Sequence, residues 1–105
     1  MAWFYLFMAG VFEIVWAAAM KESQGFTRLI PSITTVFFMI LSFGLLAVAM
    51  KNLPLGTSYT IWVGIGAVGA FIMGISLFGE AINAMRVIAA LLIISGVILM
   101  KIATK

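Results

Sequence analysis

Four long apolar runs alternate along the chain with short polar breaks. The first runs from about Ala2 to Met20 and stops at Lys21-Glu22-Ser23-Gln24-Gly25. The second runs from about Leu29 to Met50, with Pro31 near its first turn, where a missing N–H does no harm. Lys51-Asn52-Leu53-Pro54 breaks the chain again, and a third run covers about Leu55 to Phe78. Gly79 to Ala84 forms the next connection, with Asn83 as the expected N-cap of a last run from about Met85 to Ala103. Each run is close to the roughly 20 residues that cross about 30 Å of hydrocarbon as a helix. In lipid every backbone N–H and C=O needs an internal partner, so helices are the expected assignment. The pattern predicts an all-α integral membrane protein, with residues 1–105 forming one domain of four transmembrane helices (spans 2–20, 29–50, 55–78 and 85–103). The short connections predict that consecutive helices are antiparallel neighbours.

Composition agrees with a bilayer as the solvent. Of the 105 residues 66% are hydrophobic and only nine are charged, more apolar surface than a water-soluble domain of this size can hide. There is no cysteine and no histidine, which removes disulfides, thiolate metal sites and the usual neutral-pH base. No metal or cofactor is expected. The first run is read as a retained helix rather than a signal peptide, since Met1-Ala2-Trp3-Phe4 lacks Lys or Arg and Glu13 interrupts the run.

Six Lys/Arg face three acids, but the basic residues are scattered at helix ends, which suits lipid headgroups and argues against nucleic acid as a partner. Alternating spans place Lys51, Lys101 and Lys105 on one side of the membrane and Lys21, Arg28 and Arg86 on the other. Lys/Arg asymmetry is what orients a membrane protein, and three against three supplies none. The expectation is insertion in both orientations, which makes an antiparallel homodimer of dual topology possible.

Glu13 stands apart from the other charges. Eight sit at or near a span end, whereas Glu13 falls inside the first, where an ionised side chain costs about 2.5–3.5 kcal/mol or more. Desolvation disfavours the charged form of a carboxylate, so exchange between neutral and charged forms is expected. No other ionisable group lies deep enough to pair with it. The missing cation is then either a proton or a transported cation. A permanently protonated Glu hydrogen-bonded between helices is the plainer alternative, although Gln would serve that role.

Trp16, three residues on, shares the face of Glu13, and Ala9, Gly10 and Ala17 leave room beside it for a helix or a ligand. Trp16 also lies within about a turn of the span end, where an interfacial or packing role is equally open. Trp3 and Tyr5 suit the interfacial belt. In the third span Tyr59, Trp62, Gly66 and Gly69 follow a 3-4-3 spacing and make one stripe. Aromatic faces beside a carboxylate make a cation pocket, each ring contributing about 0.5–2 kcal/mol. Ser42, midway along the second span, can donate either to Glu13 or to its own helix backbone. Gly64-Ile65-Gly66-Ala67-Val68-Gly69 matches the dinucleotide fingerprint G-x-G-x-x-G, but that motif needs a preceding strand and this copy lies inside an apolar span. Its glycines point instead to close helix contact, continued by Ala70 and Gly74, or to bending.

Phe12-Glu13-Ile14-Val15-Trp16, Met20-Lys21, Gly25-Phe26-Thr27-Arg28-Leu29 and Pro31-Ser32 resemble the small multidrug resistance transporters. Pro54-Leu55-Gly56-Thr57-Ser58-Tyr59-Thr60-Ile61-Trp62 with Gly64-Ile65-Gly66 is similar to the family's third-helix signature, so the resemblance spans essentially the whole chain. Trp16 is similar to the guanidinium-exporter branch. The resemblance implies a multi-pass protein of the bacterial cytoplasmic (inner) membrane and an antiparallel homodimer with both copies of Glu13 in one site. It implies proton-coupled export of guanidinium or small substituted guanidinium cations, with Trp16, Ser42, Tyr59 and Trp62 lining the site and Glu13 binding protons or the cation. A broader quaternary ammonium or multidrug exporter of the same family is the alternative. Val63 stands where the family commonly has Ser or Thr, and Ser58 and Thr60 flank Tyr59 where Ala is usual. The residues present no nucleophile–base pair, so an enzyme is not expected.

Overall fold

A computed structural model describes residues 1–104. Four helices follow in order: α1 (Ala2–Glu22), α2 (Leu29–Ala49), α3 (Leu55–Phe78) and α4 (Ala84–Ala103). All four are long and apolar enough to cross a membrane, and no strand occurs among the described residues. The chain is therefore an all-α, multi-pass membrane protein. The G-x-G-x-x-G segment lies inside α3, without a strand before it.

Local chemistry sets the helix ends. Asn83 caps α4, its side chain accepting from the Arg86 N–H at 2.9 Å. Gly79, at φ +66°, ends α3 in the left-handed region where a side chain would be strained. The α1–α2 connection turns through three positive φ values, at Gln24, Gly25 and Phe26. Ser23 holds that turn together, donating to the Met20 carbonyl at 2.6 Å and accepting from the Phe26 N–H at 3.1 Å.

The helices form a layer about one helix thick, with extents of 42 × 34 × 16 Å. α1 packs against both α2 and α3, and α4 packs on α3, reaching α1 through the Lys101 side chain on Trp3. The expectation that consecutive helices are neighbours therefore holds for α1–α2 and α3–α4 but not for α2–α3, which touch only slightly. α1 lies between them because its small face (Ala9 and Gly10, both buried) admits close approach from two sides.

Contacts across the layer fix its register. Gly10 meets Ile65, Glu13 meets Gly66 and Ile14 meets Gly69, so α1 and α3 run parallel. Gly64 meets Val97 and the Thr57 and Thr104 hydroxyls lie 3.0 Å apart, so α3 and α4 run antiparallel. Gly74 departs from the expected helix-contact row: it is covered by the Glu80 carboxylate of the following loop. The core is small, with Leu6, Ala9, Leu46, Ala49, Ile61 and Trp62 at its center. No residue of α4 is buried.

The two ends of the layer differ in charge. One carries Lys21, Arg28 and Arg86 with Glu22 and Glu80, and there Arg28 pairs with Glu22 at 3.4 Å and Arg86 with Glu80 at 3.1 Å. The opposite end carries Lys51, Lys101 and the amino terminus, with no acid among the described residues. Lys105, counted with that end from the sequence, lies outside the described residues.

Candidate functional site

Glu13 is the twelfth residue of α1, about 16 Å of helix rise from Ala2 and about 13 Å from Glu22. Its carboxyl lies on Gly66 of α3. A methyl group built at Gly66 would overlap Glu13 Oε1 and Cδ and come within 2.9 Å of Cγ. Glycine at that position is what lets the carboxyl lie against the α3 backbone. Oε1 is buried and has no hydrogen-bond partner among the described residues, and neither ion pair involves Glu13.

One turn toward the N-terminus of α1, a chain of two hydrogen bonds ties three helices together. Trp62 Nε1 on α3 donates to Ser42 Oγ at 2.9 Å, and Ser42 Oγ on α2 donates to the Ala9 carbonyl of α1 at 2.6 Å. Ser42 is completely buried. Neither expected acceptor is used, since Ser42 reaches neither the Glu13 carboxyl nor its own helix backbone. Its acceptor is nevertheless close to Glu13, because the Ala9 carbonyl is the one that takes the Glu13 backbone N–H in a regular helix. Ser42 thus acts on the turn that carries Glu13.

Aromatic rings continue the cluster. Trp16 stands edge-on to Phe43 at 6.3 Å, Phe43 edge-on to Trp62 at 5.4 Å, and Trp62 lies 5.7 Å from Tyr59. Helical side chains lean toward the helix N-terminus, so Trp16 leans back toward the level of Glu13. Its Nε1 is buried without a hydrogen-bond partner among the described residues. Phe43 was not singled out in the sequence; its position next to Ser42 was the available signal, but the flanking apolar residues of α2 drown it.

The predicted stripe of α3 divides in the fold. Trp62, Gly66 and Gly69 face the α1 side, whereas Tyr59 is 54% exposed. Tyr59 also lines a cavity of about 470 Å³ between α3 and α4, with Thr60, Val63, Gly64 and Gly96 among its walls. Ser58 points the other way and is fully buried, its hydroxyl without a partner among the described residues. Gly10, Gly64, Gly66 and Gly69 each receive a neighbouring helix's side chain where a Cβ would stand. Among the described residues no group of His, Cys, Asp or Glu could hold a metal ion.

Fold and site together define a small multi-pass membrane protein with a mid-span carboxyl lying on a glycine and an aromatic cluster on the same helices. Comparison with known proteins places it more narrowly. The family model described as Small Multidrug Resistance protein matches residues 1–103. A guanidinium exporter of Proteus vulgaris is 53% identical over 104 residues, covering 99% of this chain and all of the relative. The guanidinium exporter of Escherichia coli (strain K12) is also 53% identical, with 99% of each chain covered. A guanidinium exporter of Salmonella typhimurium is 49% identical over the same share. The chain belongs to the small multidrug resistance family, as its motifs suggested.

Proposed function

We propose that this protein is a proton-coupled antiporter that exports guanidinium or small substituted guanidinium cations across the bacterial cytoplasmic membrane. The observation that carries the reading is the mid-span Glu13 carboxyl, held on Gly66 with Oε1 buried and unpaired among the described residues. The names of the relatives, guanidinium exporters at about half identity over nearly the whole chain, support the choice of cation.

Guanidinium is planar, weakly hydrated and cationic at any biological pH, so it does not cross lipid as a neutral molecule. A carboxylate takes it bidentately through two parallel N–H···O bonds. Trp16 and Trp62 supply ring faces that attract a flat cation, Tyr59 extends that aromatic row from Trp62 toward the α3–α4 cavity, and Ser42 holds Trp62 and the Glu13 turn in place. Glu13 binds protons or the cation but not both, so the two ligands are negatively linked. An alternating-access motion of that one site then exchanges inward-moving protons for an outward-moving cation.

The functional unit in this reading is an antiparallel homodimer, with both copies of Glu13 at a shared site. Its support is the equal Lys/Arg count at the two membrane faces and the largely exposed apolar surface of α4, none of whose residues is fully buried within the protomer.

Proton movement in proteoliposomes on addition of guanidinium or of a bulky quaternary ammonium tests the proposal. Guanidinium-driven flux that disappears in Glu13→Gln is the expected result. Flux driven by the bulky cation alone would replace it with the broader drug exporter. Silence with both, in folded dimeric protein, would sink the transport reading.

A further inference from the structure

At the end of the layer that holds no acidic side chain among the described residues, a second cleft opens between α1, α3 and α4, and Glu13 is not among its lining residues. It encloses about 310 Å³. Its floor is Leu6, Ile61, Ile65 and Val97, the first two buried, and its walls are the exposed side chains of Phe7 and Ile98. The lining is almost wholly apolar until the mouth, where Lys101 and Trp3 meet with the ammonium 5.0 Å from the indole centroid. Lys101 makes no salt bridge among the described residues.

Several features select one occupant. The cleft lies on membrane-spanning helices, so lipid is the medium that reaches it. It runs inward from the helix ends: Trp3 is the second residue of α1, Lys101 lies in the last turn of α4, and Ile65 is about 15 Å of helix rise inside α3. A Trp and a Lys at a span end sit at headgroup level, and an ammonium there attracts anionic headgroups. The acids that neutralise Arg28 and Arg86 are confined to the opposite end. A zwitterionic headgroup carries its own ammonium beside the phosphate and offsets the charge it offers Lys101, whereas a headgroup bearing a net negative charge supplies it whole above an acyl chain.

We propose that this cleft is a binding site for an anionic phospholipid, one acyl chain lying along Leu6, Ile61, Ile65 and Val97 and the headgroup phosphate paired with Lys101 beside Trp3. The Glu13 carboxyl does not line the cleft, and the proposal does not depend on which cation the protein transports.

The test uses the full chain in two measurements. Native mass spectrometry of detergent-purified protein, titrated with phosphatidylglycerol or phosphatidylcholine, is expected to show at least a roughly fivefold preference for the former, the loss expected when about one charge-assisted contact is missing. Lys101→Gln should abolish that preference and Lys51→Gln, at the same end but outside the cleft, should keep it. A protein with Trp3 as its sole tryptophan, in phosphatidylcholine vesicles doped with chain-brominated phosphatidylglycerol, should be quenched more strongly than with brominated phosphatidylcholine, and Lys101→Gln should remove the difference. Equal loss in both lysine variants would reduce the effect to diffuse charge attraction and overturn the site. So would an unchanged Lys101→Gln, or cross-linking that shows the cleft filled by a second copy.

Discussion

Replacing Gly66 by alanine isolates the contact on which the Glu13 site rests. The new methyl would overlap Oε1 and Cδ of Glu13 and stand 2.9 Å from Cγ, where ordinary carbon contacts lie near 3.5–4.0 Å. The carboxyl alone can swing aside, but Cγ is only two bonds from the backbone, so the side chain must change rotamer or α1 and α3 must separate. Overpacking of this kind costs about 1–3 kcal/mol. Alanine also improves the helix itself, by about 0.8–1.0 kcal/mol over glycine in soluble hosts. In the natural background the two oppose each other, and a net loss of about 0–2 kcal/mol is expected. In a Glu13→Ala background the overlap is gone, so the same change should be neutral or stabilising. The coupling between the two positions should therefore be about 1–3 kcal/mol. Reversible unfolding of the four single, double and unaltered proteins in mixed micelles, followed by helix content, measures it. Guanidinium binding to Gly66→Ala should fall about tenfold or more, since each 1.4 kcal/mol of displaced carboxyl is one decade. Equal effects of Gly66→Ala with and without the Glu13 side chain would refute the contact.

Ser42→Ala removes both the acceptor of Trp62 Nε1 and the donor to the Ala9 carbonyl. At about 0.6–1.7 kcal/mol for each interhelical hydrogen bond in a membrane, a loss of about 1–3 kcal/mol is expected in the same unfolding assay, with a shift in tryptophan emission. Asn83→Ala should cost about 0.5–2 kcal/mol by freeing the Arg86 N–H at the start of α4, and Asn83→Ser should restore most of it.

The helices and their ends were legible in the sequence because lipid makes those decisions local. A run of about 20 apolar residues has to be a helix when no water is present to satisfy its backbone, and α2 and α3 begin at the expected Leu29 and Leu55. Asn83 reads as a cap and acts as one, since capping needs only the three residues that follow. Glu13 stood out equally plainly, as a charge in the middle of a span. What each helix turns toward its neighbours was a different matter. The spans are apolar all round, so the periodicity that orients a soluble helix gives no direction here. Only packing decided that α1 lies between α2 and α3, that Ser42 reaches Ala9 rather than Glu13, and that Phe43 joins the aromatic cluster. The same holds for Tyr59, which left its stripe for the groove against α4, and for Lys101, brought onto Trp3 from the far end of the chain. Each of those outcomes depends on how two distant surfaces fit, Gly66 beneath Glu13 or Gly64 beneath Val97, and steric fit between remote segments exists only once the helices have met.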